Sequence, residues 1–163
     1  MVQGQIFDEV TTPLGLMEFE ASDEAIVRLW FAEKPPKSIH PQQMRQACST
    51  PIGEWLKTEL IEYFSGQRQA FTVPLAPQGT PFQREAWMTL QAIPFGQTIS
   101  YSQQAAWFGR HKAVRAVANA NGANPLPILI PCHRVVAKNG GLGGYGPGLD
   151  KKAWLIQHEQ QHP

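Results

Sequence analysis

The sequence predicts an α+β fold, in which a small N-terminal sheet-plus-helix domain precedes a mainly helical domain. The first 35 residues alternate between apolar and polar side chains, as strands do, whereas the chain beyond Gly79 carries start and stop signals of helices. Charge changes at the same point. Residues 1–79 carry six basic and ten acidic side chains, and residues 80–163 carry eight basic and three acidic ones. We therefore expect two domains, 1–78 and 79–163.

The elements of the first domain follow from this alternation. Three segments predict an antiparallel meander of about three strands, and the turn residues Thr12–Gly15 separate the first two. Lys34–Lys37 contains two prolines and ends the meander. The apolar side chains of Ile52–Phe64 then recur at helical spacing, which predicts an amphipathic helix. An extended segment, Phe71–Leu75, leads to the boundary.

The second domain begins with Thr80, a good helix N-cap, and Pro81 at the first helical position. The elements predicted after it are a capped helix from Ser100 to Phe108, a turn at Gly109–His111, a helix over Lys112–Asn121, and a closing helix over Asp150–Glu159. The first two of these helices with their short turn resemble a helix-turn-helix. Val135–Gly140 predicts a hairpin or an open loop.

Composition limits the classes of protein to consider. The chain has 163 residues, of which 42% are hydrophobic and 17% charged, as in a globular protein. It contains no run of apolar residues of signal-peptide or membrane-spanning length, and its two cysteines, Cys48 and Cys132, have no metal-ligand spacing. We expect a cytoplasmic protein with free thiols, no metal and no membrane contact. The basic second half favours a polyanionic partner, although scattered surface charge is the alternative.

Cys132 is the candidate nucleophile. A thiol reacts as its thiolate and needs a neighbouring group that takes its proton, and His133 follows it directly. The segment 124–131 is apolar and contains three prolines, so it predicts a stiff approach that holds the thiol at the wall of a dry pocket. Cysteine adjacent to histidine is also compatible with ordinary core packing.

The stretch Ile130–Val135, with the sequence Ile-Pro-Cys-His-Arg-Val, resembles the active-site signature of the O6-alkylguanine-DNA alkyltransferases (methylated-DNA–protein-cysteine methyltransferases). The resemblance extends over about residues 79–159. Its further blocks, in family order, are Gly79–Arg84, Ile93–Gly96, Ser100–Tyr101, Lys112–Val117, Asn124–Pro125, Gly144–Tyr145 and Lys152–Glu159, with a looser match at Thr12–Gly15.

This resemblance implies DNA repair by stoichiometric, irreversible transfer of an alkyl group, typically methyl, from O6-alkylguanine to Cys132. O4-alkylthymine would be a poorer substrate. By analogy His133 takes the thiol proton through a water molecule and Glu159 orients His133. Tyr101 matches the proton donor to guanine N3. Asn124 matches the asparagine that fixes the turn before the active-site strand.

The resemblance also implies double-stranded DNA, bound in its minor groove by a monomer that flips the damaged base out of the stack. Arg115 matches the arginine that fills the resulting gap. The other residues expected to contact DNA are Tyr101, Ser102, Lys112, Ala113 and Ala116. Small alanine side chains let a helix approach a groove closely. The alternative is that Arg115 is a solvated arginine on an ordinary helix, in which the alanines are present as helix formers.

Four residues are expected to line the alkyl pocket: Pro127, Val135, Tyr145 and Gly146. Pro147 departs from the family pattern, where a small residue is common, so the size of the pocket is open. The first domain resembles the family's variable, ribonuclease H-like domain. Some members bind zinc there through cysteines, but residues 1–47 contain none. We expect no cofactor, because no methyl donor other than DNA is needed.

Three other functions are compatible with parts of the sequence. A non-catalytic protein that binds alkylated DNA would lack the acceptor cysteine, whereas Cys132 is present. A Cys-His hydrolase would need an oxyanion hole and repeated turnover. A helix-turn-helix regulator would need base-reading side chains on its second helix, and Lys112–Asn121 offers mainly alanines.

Overall fold

The computed structural model describes residues 5–162 and has a mixed α/β architecture with a small three-stranded sheet. The outermost residues of the two predicted domains, 1–4 and 163, lie outside this range. The elements are β1 (Ile6–Thr12), β2 (Gly15–Ala21), β3 (Ile26–Phe31), α1 (Pro41–Arg45), α2 (Pro51–Phe64), α3 (Pro81–Gln91), β4 (Ile99–Ser100), α4 (Tyr101–Trp107), α5 (Val114–Gly122), a 3₁₀ turn (Cys132–Arg134), β5 (Val135–Val136) and α6 (Leu149–Gln161). The chain divides into two compact units between Pro77 and Gln78.

The first unit contains the predicted meander. Its strands pair antiparallel in the order β1-β2-β3, with Val10 opposite Met17 and Phe19 opposite Leu29. Met17 and Phe19 are fully buried because alternate residues of a strand point to the same face. Helix α2 supplies three further fully buried side chains, Leu56, Leu60 and Tyr63. The three-stranded sheet and this helix confirm the sequence prediction for these elements.

The second unit is built on three packed helices, α3, α4 and α5. Thr80 and Ser100 cap α3 and α4, each through a capping box with a glutamine three residues later. The Trp87 indole of α3 donates a 2.8 Å hydrogen bond to the carbonyl of Ala120 near the end of α5. Gln104 of α4 and Asn121 of α5 exchange two side-chain hydrogen bonds in the buried interior. The C-terminal end of α5 is therefore held by its neighbours.

Four details of the structure differ from the sequence predictions or are missing from them. Helix α5 begins at Val114, so Lys112 and Ala113 precede it. Cys132 lies in a 3₁₀ turn and not in a strand, because Pro131 directs the chain into a tight turn. Of the two alternatives predicted for Val135–Gly140, the structure has the open loop, with Asn139 and Gly140 in a turn, and the parallel pairing of Val135–Val136 with Ile99–Ser100 was not predicted. The short helix α1 was not predicted.

Candidate functional site

The approach to Cys132 is a tightly turned loop held by Asn124. The Asn124 amide oxygen accepts a 2.9 Å hydrogen bond from Leu126 N, and its Nδ2 donates a 2.8 Å bond to Ile130 O. Ile128 has a φ of 75°, which is rare and strained for a β-branched residue. Pro131 (φ −81°, ψ 66°) forms an inverse γ-turn that Cys132 N closes on Ile130 O at 2.8 Å. These contacts fix the position of the thiol.

The Cys132 thiol is buried, with 8% of the residue exposed. Burial raises the pKa of this thiol, because a thiolate loses solvation in an apolar surrounding. The hydrogen-bonding amide of Asn124 and the positive charge of Lys152 act in the opposite direction and lower it. The site therefore combines a protected thiol with two groups that favour its ionised form.

His133, Arg134 and Glu159 form a buried network behind the thiol. His133 Nε2 lies 2.7 Å from Glu159 Oε2, and Arg134 donates to the same carboxylate through Nε (2.8 Å) and Nη2 (3.1 Å). Arg134 Nη1 donates to Ile93 O at 2.7 Å. Burial alone raises the pKa of the Glu159 carboxyl, but the hydrogen bonds and charges of its two partners outweigh burial and lower it. Glu159 is thus an ionised carboxylate inside the unit, although it lies near the end of the last helix.

The ring of His133 is neutral at neutral pH. Burial lowers the pKa of His133 despite the neighbouring carboxylate. Because Nε2 donates to Glu159, the other ring nitrogen, Nδ1, is the basic one. Nδ1 is buried and has no hydrogen-bond partner within residues 5–162, and none of the hydrogen bonds there joins Cys132 to His133 directly. The residue that follows Cys132 therefore carries a basic ring nitrogen that is not occupied by another group of the described residues.

Lys152 is a buried residue for which the sequence analysis assigned no role of its own. Its Nζ donates to Val135 O at 2.7 Å and to Gly144 O at 3.0 Å, and burial lowers the pKa of the ammonium to about 8. A recognisable signal was present in the sequence: Lys152 and Glu159 are seven residues apart, two helical turns, and therefore share one face of α6. Lys152 ties the glycine-rich loop after Val136 to the active-site turn.

Two tyrosines complete the surroundings of the thiol. Tyr101 begins α4, lies with its ring 5.7 Å from Lys152 Nζ, and its hydroxyl is 3.5 Å from Gly144 O. The hydroxyl of Tyr145 is buried and, within the described chain, has no hydrogen-bond partner. Burial and the nearby charge of a Cys132 thiolate raise the pKa of both tyrosines, so both hydroxyls are protonated at neutral pH.

The remaining predicted pocket residues have different environments. Val135 is fully buried, and Pro127 is buried as well, whereas Gly146 is exposed. The backbone carbonyl of Val135 contributes as well, because it accepts the hydrogen bond that fixes the Lys152 ammonium. Within residues 5–162 no group of three or more His, Cys, Asp and Glu side chains is placed to hold a metal ion. Nor does that part of the chain contain a helix of the length and apolarity that a bilayer requires.

The residues predicted to contact DNA lie at the start of α5 and of α4. Lys112, Arg115 and Ala116 are exposed, whereas Ser102 and Ala113 are partly buried. The first turn of α5 has no side-chain cap and no acidic residue. Its free backbone N–H groups and the neighbouring basic side chains therefore make this a positively charged, unobstructed surface.

Comparisons with known proteins identify relatives of this chain. The family model of the DNA-binding domain of 6-O-methylguanine DNA methyltransferase matches residues 81–161. A methylated-DNA–protein-cysteine methyltransferase of Salmonella typhimurium is 48% identical over 121 residues, 74% of this chain and 70% of the relative. A protein of the same name from Methanosarcina barkeri is 45% identical over 156 residues, covering 96% and 98% of the two chains. The structure of Mycobacterium tuberculosis OGT in complex with DNA superposes with a TM-score of 0.85 and 32% identity, over 96% of this chain and 93% of that one.

Proposed function

We propose, from the premise that this chain belongs to the methylated-DNA–protein-cysteine methyltransferase family, that Cys132 is the acceptor of the alkyl group. The protein repairs DNA by alkyl transfer from O6-alkylguanine to a cysteine, as the family does. Cys48 is exposed and is the other cysteine of the sequence. It lies in the first unit, whereas the catalytic groups described above belong to the second.

The observation that carries the assignment is the buried pair of His133 and Glu159, in which His133 directly follows Cys132 in the chain. Glu159 holds Nε2, which leaves the basic Nδ1 free to receive the thiol proton through a water molecule. The Cys132 thiolate then attacks the O6-alkyl carbon, so that an S–C bond forms as the C–O6 bond breaks. The negative charge of Glu159 stabilises the imidazolium that results. Asn124 keeps the thiol in place during the attack.

The departing guanine needs a proton, because its anion is a poor leaving group. Tyr101, whose hydroxyl remains protonated at neutral pH, donates this proton to N3 of the base. Lys152 holds Gly144 beside the Tyr101 hydroxyl and keeps the loop closed over the site. The product is a thioether on Cys132, and no group of the site is suited to cleave it. Each molecule therefore acts once.

The DNA is double-stranded and is bound through its minor groove by a monomer. Helices α4 and α5 act as a helix-turn-helix, in which Ala113 and Ala116 allow close approach to the groove. Arg115 fills the space of the flipped base, and Lys112 and Ser102 contact the backbone. The exposure of Arg115 and Ala116 and the uncapped start of α5 support this orientation.

The alkyl group fits a pocket next to the thiol to which Pro127, Val135, Tyr145 and Gly146 contribute. The buried hydroxyl of Tyr145 and its interaction with the Cys132 thiolate support the assignment of that residue. The first unit, with its three-stranded sheet, is the ribonuclease H-like variable domain. We assign no part of the transfer reaction to it.

Restoration of guanine in damaged DNA tests the proposal. The protein, in excess over duplex DNA with one O6-methylguanine, is expected to convert that base to guanine in a single exponential phase. The Cys48→Ala variant should do the same, and the Cys132→Ala variant should leave the base unchanged while retaining its affinity for DNA. Conversion by Cys132→Ala would refute the assignment.

A further inference from the structure

Arg110, in the turn between α4 and α5, packs its guanidinium against two aromatic rings. Its guanidinium carbon lies 5.6 Å from the centroid of the Phe82 ring and 5.5 Å from that of Phe108. The two rings are themselves in contact, with centroids 5.1 Å apart. The backbone of Arg110 is fixed too, because its N–H donates to Ala105 O and its carbonyl accepts from Ala113 N. Phe82 belongs to α3, so this arginine is tied to the helical core of the unit.

Packing on the rings does not occupy the hydrogen-bonding edge of the guanidinium. The Arg110 side chain is 54% exposed, although its guanidinium packs on the two rings. Its acidic neighbour, Glu85, is 57% exposed and 4.0 Å away, at the limit of an ion pair. Exposed pairs of this kind contribute little, because water solvates both charges. The N–H groups of Arg110 are therefore directed outward and available to a ligand.

The neighbouring side chains indicate the charge of that ligand. His111 and Lys112 follow Arg110 in the turn and are exposed, and Arg115 is exposed in the first turn of α5. A planar guanidinium that is already oriented loses little freedom when it forms two parallel hydrogen bonds, and phosphate oxygens match its geometry. An exposed cation of this kind, at the edge of a basic turn, suits an anionic oxygen pair better than a neutral partner.

We infer that Arg110 is a preorganised phosphate-binding residue that clamps the DNA backbone beside the damaged base. This inference rests on the proposed function, because it takes α5 as the helix that enters the groove. In this account Phe82 and Phe108 are positioning residues: they hold the guanidinium in the orientation in which it meets the phosphate. Arg110 contributes to the affinity for DNA of any sequence and takes no part in the alkyl transfer itself.

The salt dependence of DNA binding tests the inference. Each phosphate contact that is lost makes the slope of log affinity against log salt shallower by about 0.9. For Arg110→Gln we expect that change, together with a loss of affinity of about fivefold to tenfold near 0.1 M salt. The maximal single-turnover rate at saturating DNA should stay as in the parent protein, while the DNA concentration that gives half of it rises. Arg110→Lys should retain the parent slope, because it keeps the charge.

Two controls separate this inference from its alternatives. Arg45→Gln removes an equally exposed arginine from the first unit and should leave the slope unchanged. A purely structural Arg110 would lower the unfolding temperature of Arg110→Gln without changing the salt slope, and this result would overturn the inference. The parent protein is assayed alongside for transfer to Cys132. Failure there would refute the proposed function, whereas a parent that reacts and an Arg110→Gln with unchanged salt slope would refute only the phosphate contact.

Discussion

His133 Nε2 lies 2.7 Å from Glu159 Oε2, and both side chains are excluded from solvent. The contact joins a residue next to the nucleophile to one that is 26 positions later, near the end of the last helix. This contact places the ring proton of His133 on Nε2, so Nδ1 is the basic nitrogen. Arg134 neutralises the same carboxylate, so the charge that steadies the imidazole is itself compensated.

Replacing Glu159 by glutamine removes this charge with little change of shape. Transfer to Cys132 is expected to fall by about 10²- to 10⁴-fold, which is the range of general-base catalysis. The free energy of unfolding should fall by about 3–5 kcal/mol, because Arg134 is left as an unpaired buried cation. Single-turnover kinetics and urea unfolding measure the two effects. Glu85→Gln, which alters an exposed carboxylate of the same unit, should change neither the maximal rate nor the stability.

Acid stability gives a second prediction for the same carboxylate. The pKa of Glu159 in the folded protein is below the ordinary 4.5, so between those two values the unfolded chain binds more protons. The stabilisation is therefore fully present above pH 4.5 and is lost as the pH falls further. We expect the difference in unfolding free energy between the parent and Glu159→Gln to be constant near neutral pH and to shrink below pH 4.5. A difference that stays constant on acidification would mean that the carboxylate is not ionised in the fold.

We expect Lys152 to stabilise the Cys132 thiolate by its charge and the glycine-rich loop by its hydrogen bond to Gly144 O. In Lys152→Met the positive charge and two hydrogen bonds to carbonyls are lost, so the pKa of the Cys132 thiol should rise and transfer at pH 7 should slow by tenfold or more, about 1.4 kcal/mol or above. Thiol titration by ultraviolet absorbance and single-turnover rates are the measurements. Lys138→Met removes an exposed positive charge from the same unit and should leave the thiol unchanged. A thiol pKa in Lys152→Met that is the same as in the parent protein would show that the charge of Lys152 does not stabilise the Cys132 thiolate.

Gly143 is the glycine on which the position of Tyr101 depends. Its φ of +75° disfavours any side chain, and a Cβ there would lie 2.8 Å from Cε2 and the hydroxyl oxygen of Tyr101. Gly143→Ala should therefore cost about 1–2 kcal/mol of stability from the backbone alone and slow the transfer by displacing the proton donor. Gly144→Ala is the matched control, because its Cβ would meet no atom within 4 Å. Equal rates for the two variants would contradict the role of Tyr101.

Local sequence signals predicted most of the secondary structure. The capping residues Thr80 and Ser100 determine where α3 and α4 begin, because their side chains satisfy N–H groups within the next three residues. The strands β1–β3 could be predicted from the alternation of apolar and polar side chains, because only one face of the meander is buried. The start of α5 was predicted at Lys112, two residues too early, because Ala113 offers no capping side chain that would mark the boundary. The parallel pairing of Val135 with Ile99 was beyond local reasoning, as it joins segments 36 residues apart.

The candidate site was identified from sequence only in part. The nucleophile and its neighbour could be found because Cys132 and His133 are adjacent and lie in a distinctive motif. The role of Glu159 came from resemblance alone, since a carboxylate near the end of a helix is usually solvated. The roles proposed for Lys152 and Arg110 could not be predicted from the sequence and follow from the three-dimensional structure. The lysine donates to two carbonyls and the arginine packs on two aromatic rings, and both arrangements depend on packing across several elements.

The destination of the methyl group tests the central claim most directly. Duplex DNA carrying O6-methylguanine with a radiolabelled methyl group is incubated with the protein, and the peptides of a protease digest are separated and counted. The account predicts one equivalent of label per molecule, all of it on the peptide that contains Cys132, and no further uptake when fresh DNA is added. Label on the Cys48 peptide, or repeated turnover with the label released into solution, would contradict it.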